Sequence, residues 1–502
     1  MKVFKTVILY TVLILISPFA LLAQRNDGAV IPGDFADPSV IRVNQTYFAV
    51  GTSSEWAPHF PVYRSADLNS WRQTGYVFDK TPEWASGSFW APEYYKIKDT
   101  YYIYYTARRK TDNTSFIGVA TSRYPDRGFT DHGVIIAFGK EAIDAFVFND
   151  NGQLYVTFKA YGLDDRPIEI LGSKLSANGL KLEGEPFSLL KDDQRLGMEG
   201  QSILKKDGYY YLFFSAGNCC GAQCGYNVRV ARSKSFIGPY ETNSGNPILS
   251  ENAKWKCMGH GTFVKGPNGT DFYLHHAYNR ESTVFTGRQG LISELVWPQN
   301  NGWPVFKTQK ILGAAVLNTK GNFSSPSIAK YWQWDFRNST PSLKQQNGVL
   351  YLSGTVKQGN QSGIALTARP VSGHFVMAAT VLNHNAALKG LTFYGDANMA
   401  LGMGTQNNQV VLWQVKDNEF SILAQSSVNE KSPLQLKMEL ATDKTCRFYY
   451  RQGKADWETF RSGEPVKADF LPQWDRSPRA GLHYKGDESQ DARFSDFSII
   501  NY

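Results

Sequence analysis

Asp37, Asp144 and Glu199 recur along the chain in one series with Trp90 and His260, at intervals of 53, 54, 55 and 61 residues. Paired carboxyl groups can split a glycosidic bond: one, protonated, supplies a proton to the leaving oxygen, while the other, ionised, activates water or attacks carbon. A third anion close to the acid disfavours its ionisation and keeps it protonated nearer neutral pH. Asp37 precedes Pro38, which is expected to hold it in extended geometry at a strand entry. Asp144 interrupts the apolar stretch from Ala142 to Phe148, where an inward carboxylate needs a partner. Glu199 is followed by Gly200, which lets a ligand approach the backbone. Each acid taken alone also reads as a turn, loop or core residue, so the regular spacing carries the argument.

Five hairpins must position these residues. Turns beginning at Asn44, Asp99, Asn151, Asp207 and Asn268 are each followed by an aromatic strand, at steps of 55, 52, 56 and 61 residues. A near-constant period with one hairpin per unit predicts radial repetition, and five units of about four strands predict a five-bladed β-propeller over residues 24–317. A β-sandwich of this length would have no reason to keep such a period. In a propeller the strand entries face a shared funnel, so residues spread over more than 200 positions would meet at one axis. Residues 318–331, which open on a Gly/Ser/Asn/Pro-rich stretch from Asn318 to Pro326, read as a linker; beyond it the period is lost, and short alternating strands over 332–502 predict a β-sandwich. The fold class is therefore all-β. The sandwich is expected either to bind sugar through Trp413 or Trp457, or to brace the propeller and lend a loop to the rim of its funnel.

The motifs Pro32-Gly33-Asp34-Phe35-Ala36-Asp37-Pro38, Trp90-Ala91-Pro92-Glu93, Ile143-Asp144, Met198-Glu199-Gly200 and Gly259-His260-Gly261, in this order at blade spacing, resemble glycoside hydrolase family 43. The resemblance covers about residues 31–306. It implies that Asp37 is the general base acting on water, Glu199 the general acid, and Asp144 the group that raises the acid's pKa and orients it. It also implies inversion at the anomeric carbon, which asks for a base and acid roughly 6.5 to 9.5 Å apart. Arg288, in Gly287-Arg288-Gln289-Gly290, matches an arginine that reaches the sugar, and a surface hairpin Arg is the competing reading. Trp90 matches a wall on which a sugar packs, against burial under blade two. The chemistry requires no cofactor. The resemblance allows a structural calcium at the propeller axis with His260 as its neighbour, and a core histidine is the other reading. Asn149-Asp150-Asn151-Gly152 has calcium-loop composition, but a hairpin turn explains it better. The terminal strand around Phe494 resembles those of concanavalin-like and laminin-G-like modules.

The resemblance to family 43 implies an inverting exo-α-L-arabinofuranosidase acting on arabinose- or xylose-containing plant polysaccharide or oligosaccharide. A β-xylosidase or an endo-arabinanase of the same family is the alternative, and a non-catalytic carbohydrate-binding propeller the reading from a different class. Ala145 and Gln201, where many relatives carry Pro, leave the sugar open; the loops 56–61 and 218–226 are expected to decide between pocket and cleft.

A formal charge of +8 spread over interspersed residues argues against nucleic acid as a partner. Residues 1–23 read as a secretory signal, with Lys2 and Lys5 before an apolar run broken at Pro18, so the chain is expected to be periplasmic or secreted and without a membrane partner once the signal is removed. In that oxidising setting Cys224 and Cys257 are expected to pair. The adjacent Cys219 and Cys220 are not expected to bond each other, and Cys446 should be a buried thiol.

Overall fold

The computed structural model describes residues 28–161, 167–282, 285–299, 302–307, 318–471 and 474–502. The signal reading at 1–23 and the stretch 308–317 lie outside the described residues. Regular structure among the described residues is strand, apart from short 3-10 turns. No helix there is long and apolar enough to cross a membrane.

Five antiparallel sheets form the blades of a propeller. Their first strands, Ser39–Val43, Ala85–Ile97, Glu141–Asp150, Glu199–Lys206 and Trp255–Lys265, touch one another in a ring and are innermost. The aromatic strands are second in each blade: Thr46–Val50, Thr100–Arg109, Gln153–Tyr161, Tyr209–Ala216 and Asp271–Asn279. They read as near-continuous apolar runs because both faces are covered by neighbouring blades; seven of the eight residues in Tyr209–Ala216 are buried. Ala29–Ile31 closes the ring as the outer strand of blade 5, with Ala29 opposite Leu291 and Ile31 opposite Gly290. Asn149 Oδ1 accepts the Gly152 N–H at 2.8 Å, which makes that segment the blade 3 hairpin turn.

Each inner strand carries, within it or just ahead of it, a residue in the left-handed region: Asp37 (φ 49°), Ala91 (46°), Asp144 (60°), Gly200 (59°) and His260 (43°). In blades 2 to 5 the pairing register slips at this point, the mark of a β-bulge, which re-aims a side chain out of the ladder. The freed N–H of each of these residues is taken up by the blade before it. Ala91 donates to Thr52 Oγ1 (2.8 Å), Asp144 to Thr106 Oγ1 (3.2 Å), Gly200 to Asp144 Oδ2 (3.0 Å), His260 to Ser215 Oγ (2.8 Å) and Asp37 to His276 Nδ1 (3.1 Å). This cycle of five hydrogen bonds locks the strand entries to one another. It also corrects the expectation for Asp37, which is not extended despite Pro38: satisfying its N–H inside the ring outweighs the local preference.

The C-terminal domain is two packed sheets, one of nine strands and one of six. Strands Phe375–Val381 and Leu434–Leu440 alternate strictly between buried and half-buried, so one face of the larger sheet fills the core. Leu388–Asp396 in the smaller sheet is buried along nearly its whole length because its second face meets the propeller. Trp56, from blade 1, packs there against Tyr394 and Trp413. Trp334–Asp335 pairs with Trp56–Ala57, and Arg479 Nη2 reaches Asp34 Oδ2 at 3.1 Å. The segment 318–331 is not purely a connector, since Thr319–Gly321 pairs with Phe497–Ile499.

Candidate active site

In blades 1, 3 and 5 the left-handed residue is itself the candidate site residue, whereas in blades 2 and 4 the candidate comes one position earlier. Trp90 and Glu199 precede the left-handed Ala91 and Gly200. All six residues singled out from the sequence line one pocket of about 260 Å³, a volume below the usual range of ligand sites and suited to a short saccharide.

Asp37 is the most constrained acid. Its Oδ2 accepts from Thr52 Oγ1 at 2.6 Å, and its Oδ1 lies 3.1 Å from Arg288 Nη1, 3.2 Å from His276 Nδ1 and 3.5 Å from His260 Nδ1. Burial alone would raise its pKa, but Arg288 and the two histidines outweigh burial and hold the carboxyl well below the usual range. Asp37 is thus ionised, as a base must be. Arg288 is no surface residue: it is buried, pairs with Asp37, and donates from Nη2 to the Asp475 carbonyl at 3.3 Å.

Asp144 and Glu199 differ from the expectation. Burial, reinforced by the Glu199 charge and opposed by His260, pushes Asp144 up to about 6. Glu199 would also be raised by burial, but Lys159 Nζ at 2.7 Å from Oε2 and the Tyr226 hydroxyl donating to Oε1 at 3.0 Å bring it below its ordinary value. Of the two, Asp144 is therefore the readier to hold a proton. An ammonium in direct contact outweighs a second carboxylate farther off.

Gly200 has a different role from the one anticipated. A Cβ there would lie 2.7 Å from His260 Cγ, so the glycine admits the histidine ring rather than a ligand. His260 Nδ1 is thereby set 3.5 Å from Asp37 and 3.8 Å from Asp144. Among the described residues no group of three or more His, Cys, Asp or Glu is placed to hold a metal. Glu93, three residues beyond Trp90, is buried next to Ser39, which donates to it at 2.7 Å, and burial pushes its carboxyl up to about 8. It lies outside the pocket lining.

Trp90 stands in the pocket wall with the Arg108 guanidinium 5.5 Å from its ring centre. Of the two loops expected to shape the pocket, 56–61 instead docks the sandwich through Trp56, while 218–226 supplies Cys219, Cys220 and Tyr226. Cys224 pairs with Cys257 as expected, and Cys446 is a buried free thiol. Cys219 and Cys220 do bond each other, against expectation, because Cys257 takes Cys224 and leaves the adjacent pair to itself. The sandwich reaches the pocket through Trp474 and Asp475, whereas Trp413 is fully buried and Trp457 is flanked by Lys437 and Arg451.

Sequence reasoning missed Lys159, Tyr226, His276, Trp474 and the Cys219–Cys220 bond. Lys159 had a readable signal, a lone charge inside the second strand of a blade.

A family model described as glycosyl hydrolases family 43 matches residues 27–304. The chain belongs to this family. Residues 320–475 of this family 43 glycosidase match a second model, described as beta xylosidase C-terminal concanavalin A-like domain. An extracellular exo-α-(1→5)-L-arabinofuranosidase of Cellvibrio japonicus is 31% identical over 329 residues, covering 58% of this chain and 91% of the relative. An extracellular endo-α-(1→5)-L-arabinanase of Bacillus subtilis is 28% identical, covering 54% and 87%. The crystal structure of a family 43 protein from Bacillus licheniformis superposes with a TM-score of 0.79 at 21% identity, covering 94% of this chain and 99% of that one, so both domains of the family 43 glycosidase have a counterpart in fold.

Proposed function

We propose that this family 43 glycosidase removes terminal α-L-arabinofuranosyl residues from plant polysaccharides or oligosaccharides by an inverting, exo-acting mechanism, outside the cytoplasm. The observation that carries the exo reading is the wall built by the sandwich. Asp475 accepts a hydrogen bond from Arg288, and a Cβ on Gly221 of the blade 4 loop would lie 3.3 Å from Trp474, so sandwich and propeller touch at the pocket's edge. An endo enzyme needs a cleft open at both ends. The arabinofuranosyl reading is supported by the similarity to the Cellvibrio japonicus enzyme, named as an extracellular exo-arabinofuranosidase.

In this reading Asp37, kept ionised by Arg288, takes a proton from the attacking water. Glu199 protonates the leaving oxygen, which requires the Lys159 contact to loosen as the sugar enters. Asp144 and His260 stand beside both acids and fix the charge between them. Retention of all three carboxylates argues against a binding-only propeller.

A β-xylosidase is the second reading, favoured by the description of the matching C-terminal domain. Hydrolysis of para-nitrophenyl α-L-arabinofuranoside and β-D-xylopyranoside decides between them. A higher kcat/KM for the arabinofuranoside is expected, a preference for the xyloside moves the assignment, and hydrolysis of neither overturns the exo reading on both sugars.

A further inference from the structure

The charged groups lining the pocket are the acids of the blade entries with Arg108, Glu141, Lys159, Arg288 and Asp475, but one section of its lining is sulfur. Cys219 and Cys220, joined by their disulfide, line the same pocket as Asp37, Asp144 and Glu199. Cys219 is half-buried and Cys220 is 2% exposed.

The loop holding them is fixed at many points. Gly221 N–H donates to Tyr278 Oη at 3.3 Å, Gly225 N–H donates to the Asn218 carbonyl at 3.0 Å, and Cys224 is tied to Cys257 on the inner strand of blade 5. Trp474 of the sandwich lies against Gly221, immediately after the sulfur pair. At its end the loop delivers Tyr226, whose hydroxyl donates to Glu199. A bond between adjacent residues closes a small ring that removes side-chain freedom, so the sulfurs form a fixed surface. A disulfide has no proton to donate and accepts weakly, while its polarisable sulfurs favour apolar contact. A pentosyl ring presents hydroxyls in some directions and C–H groups in others. Carboxylates, Arg288 and Lys159 suit the hydroxyls; the sulfur surface suits the C–H groups.

We propose that the Cys219–Cys220 disulfide is a sugar-contacting surface, packing against the C–H face of the terminal pentosyl residue and selecting ring shape. This rests on the reading of the pocket as an exo-glycosidase site. The disulfide acts on binding and performs no chemistry.

The test is the double variant Cys219→Ala/Cys220→Ala, assayed on para-nitrophenyl α-L-arabinofuranoside and β-D-xylopyranoside beside the wild type. On the better substrate KM is expected to rise about tenfold while kcat stays within about threefold, the pattern of lost uniform binding. A folded variant with the wild-type KM overturns the proposal. Should the variant not fold, wild-type protein decides: brief treatment with a phosphine reductant, followed by alkylation and mass-spectrometric mapping, with and without saturating L-arabinose or D-xylose. One of the sugars is expected to slow labelling of Cys219 and Cys220 at least severalfold without slowing that of Cys224 and Cys257. Equal labelling rates at Cys219 and Cys220 with and without either sugar overturn the proposal. A wild type that cleaves neither aryl glycoside fails the reading of the site, whereas one that cleaves a glycoside while either sulfur test fails rejects only the role of the disulfide.

Discussion

Asp37→Asn is expected to lower kcat by about 10³-fold, the scale of a lost general base, on every substrate the enzyme cleaves. Asn preserves the shape of Asp and can still accept from Thr52, so the loss reports charge rather than collapse. The wild-type carboxylate is ionised because Arg288 at 3.1 Å and the neighbouring histidines favour its charged form over the burial that opposes it. The variant removes the proton acceptor and leaves Arg288 buried without its counter-ion, so the melting temperature is expected to fall as well. Changing the leaving group should not rescue it, since the base acts on water. Steady-state kinetics with an alkyl and an activated aryl glycoside measure this. Activity within tenfold of wild type would exclude Asp37 as the base.

Glu199→Gln is expected to behave differently on the same substrates. On a saccharide leaving group, which needs a proton to depart, kcat should fall by roughly 10²- to 10⁴-fold. On a dinitrophenyl glycoside, whose leaving group departs as an anion, the loss should be much smaller. The pH profile carries a second signature. A general acid is active when protonated, so its ionisation causes activity to fall as pH rises through its pKa, and that alkaline limb should vanish in Glu199→Gln on the activated substrate. Before sugar enters, Lys159 holds Glu199 below its ordinary value and Asp144 is raised to about 6, so substrate binding must shift the proton toward Glu199. The alkaline limb should therefore lie at higher pH in kcat than in kcat/KM, because the former reports the bound complex. Equal loss on both leaving groups would remove Glu199 from the acid's role.

The repeat was legible because every blade needs a tight turn and a second strand buried on both faces, and these leave Asn or Asp and aromatic runs at each period. The three carboxylates were legible because they stand at the same place in that repeat. The one-residue offset between Asp37 and Glu199 was not, since the left-handed position falls on the acid in one blade and on Gly200 in another. Pro38 argued for an extended Asp37, and the ring of hydrogen bonds prevailed. Lys159 reverses the expected order of the Asp144 and Glu199 pKa values through a contact across blades, which no spacing rule reports. Trp474 and Asp475 come from irregular chain in another domain, and reach the pocket only because Trp56, Trp334 and Arg479 dock the two domains. Irregular segments carry no period, so their partners emerge only in three dimensions.

Asp37 and Glu199 are assigned as base and acid on opposite sides of the scissile bond, and the configuration of the first sugar released tests that assignment most directly. Proton NMR of the anomeric signal during the first minutes of hydrolysis of an aryl α-L-arabinofuranoside, ahead of mutarotation, should show β-L-arabinofuranose first. First appearance of the α anomer would mean retention through a covalent intermediate, and would contradict the assignment.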